Sequence, residues 1–63
     1  MVNYSNDIIG KKIELVYMND GQAPPIGTKG IVKKVDDMGT IHVNWENGSS
    51  LGLLPEVDKF KIL

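Results

Sequence analysis

Sixty-three residues carrying eight carboxylates and seven lysines, for a net charge of −1, make one small domain. A chain this short cannot build two cores and buries only about 60% of the surface its unfolded form exposes. The absence of cysteine excludes a disulfide framework or a thiolate metal site and fits a reducing, cytoplasmic setting. The absence of arginine disfavours a general nucleic-acid surface, because an ammonium cannot make the paired hydrogen bonds of a guanidinium.

The chain opens on an arm, residues 1–9, which after Met1-Val2 is polar except for Tyr4, Ile8 and Ile9. The arm is expected to be loosely tied up to about Asn6, with its apolar residues covering one open end of a core. It has no basic start and no long apolar run, and no later segment approaches membrane-spanning length, so neither export nor a membrane anchor is expected.

From Lys12 the sequence alternates: Ile13, Leu15 and Tyr17 fall at period two with Glu14 on the other face and Val16 out of pattern, which predicts a first strand. Residues 19–27, Asn-Asp-Gly-Gln-Ala-Pro-Pro-Ile-Gly, are dense in turn formers and predict a long ordered loop. A second strand runs from Thr28 to Val35. Its alternation slips once between Val32 and Val35, which predicts a bulge, and Gly30 leaves room for another backbone to approach.

Asp36-Asp37-Met38-Gly39 predicts a turn of type I. Ile41, Val43 and Trp45 then face one way and Thr40, His42 and Asn44 the other. Asn47-Gly48 predicts a two-residue hairpin turn with positive φ at both residues, leading into a fourth strand over residues 50–54. Pro55-Glu56-Val57-Asp58 predicts a tight turn and Phe60-Lys61-Ile62-Leu63 a closing strand. The positions turned inward are Ile13, Leu15, Val32, Val35, Ile41, Val43, Leu53, Phe60 and Ile62. Five short strands in one open sheet would leave an apolar face in water, so the expected fold is all-β, a small five-stranded SH3-like barrel over residues 10–63.

Gly27-Thr28-Lys29-Gly30, Val35-Asp36-Asp37, the run from Ile41 to Leu53 and Asp58-Lys59-Phe60 together resemble a small bacterial family known only as a domain of unknown function. The likeness spans Gly10 to Leu63. It implies an intracellular bacterial or mobile-element protein and brings no activity with it.

Catalysis is not expected. His42 is the only histidine, alternation turns it outward, and no carboxylate is spaced in sequence to orient it toward Ser49 or Ser50. One histidine and no cysteine do not make a zinc site, and turn chemistry accounts for Asp36 and Asp37 without a hard cation, so neither metal nor cofactor is expected.

What remains is binding. Tyr17, Met18, Pro24, Pro25, Ile26 and Trp45 combine a stiff loop with aromatic surface suited to a protein or peptide, the expected partner. The alternative is a weak nucleic-acid surface made from Lys11, Lys12, Lys33 and Lys34, whose bland reading is a set of solvated edge-strand guards.

Overall fold

Period-two burial builds the sheet. In a computed structural model, which describes residues 6–63, β1 is Lys12–Tyr17, β2 Lys29–Val35, β3 Ile41–Trp45 and β4 Lys59–Ile62. Tyr4 lies outside the described residues. The four strands form one antiparallel sheet in the order β3-β2-β1-β4. The only helical element among the described residues is a 3₁₀ turn over Asn6–Ile8, so none of their helices is long and apolar enough to cross a membrane.

Two bulges interrupt the ladder. The register shifts between Val32 and Lys34 against β3, so Lys33 is an extra residue and both Val32 and Val35 turn toward the core. A second shift between Leu15 and Tyr17 against β4 makes Val16 the extra residue. That second shift takes Tyr17 out of the inward series of Ile13 and Leu15, and Tyr17 stands exposed beside Val16.

The expected fourth strand over residues 50–54 shrinks to a single bridge between Leu53 and Ile41. Its backbone groups are used elsewhere: the Leu51 carbonyl accepts the Trp45 indole N–H, Leu51 N–H donates to Ser49 Oγ, and Leu54 N–H donates to Asp58. The described residues therefore form four strands rather than five, and no continuous ladder joins the two ends of the sheet into a closed barrel.

The turns follow their glycines. Gly39 (φ 86°) and Gly48 (φ 90°) each donate to the carbonyl three residues back, Asp36 and Trp45, and each hairpin is then closed by a bond to the carbonyl of the next residue, Asp36 N–H to Thr40 and Trp45 N–H to Ser49. Both are three-residue loops, a type I turn followed by a left-handed glycine. The expectation of positive φ at Asn47 is corrected, because no residue other than glycine has positive φ among those described. Asn47 Oδ1 instead accepts Ser49 N–H.

Ile8, Ile13, Leu15, Val32, Ile41, Val43, Trp45 and Leu53 form the core, with Met18, Val35 and Phe60 packed against it. Ile62 is a correction: it pairs with Ile13 but lies on the edge strand β4, and it is exposed. Gly30 sits where a Cβ would come within 2.6 Å of Val43 Cγ1 and 3.0 Å of Trp45 Cε3, so the Trp45 ring packs directly over the β2 backbone.

Candidate functional site

The long loop is built as two tied turns. Asp20 accepts Ala23 N–H at its carbonyl and Gln22 N–H at Oδ1, and Pro25-Ile26-Gly27-Thr28 closes with Thr28 N–H and Oγ1–H both donating to the Pro25 carbonyl. Positive φ at Gly27 makes this second turn type II. Leu15 N–H donates to Thr28 and Gly27 N–H to Leu15, so the end of the loop is fastened to β1 one residue from the Val16 bulge.

Three apolar side chains meet water at this base: Val16 at 43% exposure, Tyr17 at 46% and Ile26 at 71%. Pro25 is also exposed and Met18 half-buried, whereas Pro24 is buried. Trp45 keeps only 4% of its surface, with its indole N–H satisfied by Leu51. Pro24 and Trp45 are therefore interior residues and not part of the candidate surface, and the expected exposed edge of Trp45 is corrected. Val16 is the member that sequence reading missed; its departure from the β1 alternation was the available signal.

The lysines divide into two groups. Lys12 pairs with Glu46 at 3.4 Å, while Lys29 and Lys61 flank Glu14 at 3.7 and 3.6 Å from the strands on either side. Among the described residues Lys11, Lys33, Lys34 and Lys59 form no ion pair. Lys11 lies across from Val32, joined by Val32 N–H donating to its carbonyl, so it neighbours the bulged Lys33. The structure thus groups Lys11 with Lys33 and Lys34 and removes Lys12 into a pair.

His42 is oriented after all. Its Nε2 lies 2.9 Å from Asp36 Oδ2, brought there by the hairpin register rather than by proximity in sequence. Asp36 Oδ1 accepts Met38 N–H and Thr40 N–H, so one carboxylate holds both the turn and the ring. The His42 bond, aided by the two backbone donors, holds the Asp36 carboxyl below its ordinary 3.8 despite partial burial. Ser49 pairs with Trp45, three residues further along β3, so this dyad and the serines are not assembled into a triad. No group of three or more metal-ligating side chains gathers among the described residues.

No curated protein and no solved structure is significantly similar to the chain. The matched family covers residues 4–63, which includes both bulges, the long loop and every strand. The chain belongs to the family described as Domain of unknown function (DUF4314).

Proposed function

We propose that this protein is a non-enzymatic binding module on an SH3-like scaffold, which takes a protein or peptide partner at Val16, Tyr17, Pro25 and Ile26. The observation that carries this reading is that Val16 and Tyr17 at the end of β1 and Ile26 on the adjoining loop are exposed, the loop being fastened at both its turns. A surface of this kind buries apolar area with little ordering cost, since its backbone is already fixed. A single exposed apolar residue is ordinary, but a cluster on a rigid loop is where scaffold proteins place contacts.

The SH3-like scaffold is supported by the path of the chain. Leu53 bridges the outer edge of β3, and β4 lies on the opposite edge of the sheet beside β1. Only residues 54–58 connect them, folded into a turn in which Val57 and Asp58 N–H both donate to the Leu54 carbonyl. A flat sheet with those neighbours would be roughly 19 Å across at about 4.8 Å per strand, farther than a tight turn reaches, so the sheet curls.

Ile26→Asp tests the reading. The side chain is mostly in water, so the thermal midpoint should stay within about 2 °C while capture of partners from a lysate of the source cells falls at least tenfold relative to wild type. Identical capture by wild type and variant would reject this surface.

A further inference from the structure

The bulge at Lys33 does more than repair the core. In an unbroken strand Lys33 and Lys34 would point to opposite faces, one of them inward. The register shift keeps Val32 buried and Val35 packed on the core, and leaves both lysines in water. Lys11 joins them from the residue before β1, where Gly10 N–H donates to Val32 and Val32 N–H to Lys11. The backbone thus places three exposed lysines at one end of the β1–β2 pair, on a protein whose net charge is −1.

The nearby acids do not cancel them. Asp36 is turned to its own hairpin, with Oδ1 on two backbone N–H groups and Oδ2 on His42, the residue opposite Lys34. Glu14 and Glu46 are paired with Lys12, Lys29 and Lys61. Asp7 lies in the 3₁₀ turn that meets β2 and is engaged in an interaction of its own, and Asp37, exposed in the turn after β2, has no side-chain partner among the described residues.

We infer that Lys11, Lys33 and Lys34 form an anion-binding patch for the phosphate backbone of nucleic acid, separate from the Val16, Tyr17 and Ile26 surface. Ammonium groups on flexible stems act on phosphates as point charges and need no fork geometry. Among the described residues the patch has no exposed aromatic ring to stack bases: Trp45 is buried and Tyr17 is placed at the loop base. Binding is therefore indifferent to sequence and rests on counterion release.

Fluorescence anisotropy with a labelled mixed-sequence 20-mer, single-stranded and duplex, tests this on the intact chain. Three phosphate contacts predict a slope of log K against log salt of about −2.7 on duplex and about −2.1 on single strand. Affinity for duplex should fall roughly 40-fold between 50 and 200 mM salt. The triple variant K11Q/K33Q/K34Q should lose at least tenfold in affinity at 50 mM salt with an unchanged thermal midpoint. Lys59→Gln, outside the patch, should change it less than twofold, and Asp37→Asn should tighten binding. No binding by wild type at 50 mM salt, an unchanged triple variant, or equal binding of poly-glutamate would each overturn the inference. Because Ile26→Asp leaves the patch intact, it should bind the oligonucleotide as wild type does, so failure here and failure of the protein-binding surface are read separately.

Discussion

Single atoms decide several positions. At Gly30 a methyl group would sit 2.6 Å from Val43 Cγ1 and 2.9 Å from the Asn44 carbonyl, so Gly30→Ala requires β2 and β3 to part or Trp45 to shift. We expect a loss of about 1–3 kcal/mol, read as a lower urea midpoint. Gly48 has open space around its missing Cβ, yet its φ of 90° strains any L side chain. Gly48→Val should cost at least about 1–2 kcal/mol. Asn47, at negative φ, should accept Ala at the loss only of its bond to Ser49. Asp58, 6% exposed, shows the polar counterpart: its Oδ2 accepts Leu54 N–H at 2.8 Å within the turn that joins the sheet's two edges. Asp58→Ala should destabilise by about 1–2 kcal/mol because it strands that donor, and Asp58→Asn, which keeps an acceptor, should recover part of the loss in thermal melts.

Among elements, the β2–β3 hairpin carries the clearest pH signature. Its turn and its histidine are both held by the Asp36 carboxylate, whose pKa is depressed below the ordinary 3.8 chiefly by His42. A carboxyl depressed in the folded state contributes stability that is complete above its unfolded value and is lost as pH falls through the folded one. Urea midpoints measured between about pH 5 and 2 should therefore fall more steeply for wild type than for Asp36→Asn. Parallel curves would show that the contact contributes nothing. This contact also marks the limit of reading by sequence. Strand periods, the slip at Lys33 and both glycine turns are local patterns and were legible. The meeting of Asp36 and His42 depends on hairpin register, and the shortened segment over residues 50–54 depends on Ser49, Trp45 and Asp58 capturing backbone groups that a ladder would use. The two bulges act alike at this scale: one exposes Val16 with Tyr17, the other Lys33 with Lys34, and each leaves core residues on both sides in place.

Across the whole molecule, stability is uneven. β1 and β2 lie in the middle of the sheet, each paired on both sides, and contribute the fully buried Ile13, Leu15 and Val32. The other half of the core comes from Ile41, Val43 and Leu53, so Ile41→Ala, at a side chain with no exposure, should cost roughly 2–5 kcal/mol, a large part of what a domain this small possesses. The segment between β3 and β4 is held differently. Its ladder contact is the pair of bonds exchanged by Ile41 and Leu53, supported by the Trp45 indole and the Asp58 carboxylate. With few backbone bonds and an exposed Leu54 and Val57, it is the part most easily opened without unfolding the rest. Native-state hydrogen exchange should then find the Leu53 and Asp58 amides exchanging through a local opening well below the global free energy, while Leu15 and Val32 exchange only on global unfolding. Asp58→Ala should speed exchange at Leu53 and Leu54 more than at Leu15. Equal acceleration at all three would mean that the two edges of the sheet open together with its centre as one unit, and that the turn over residues 54–58 is as much a part of the cooperative core as β1 and β2.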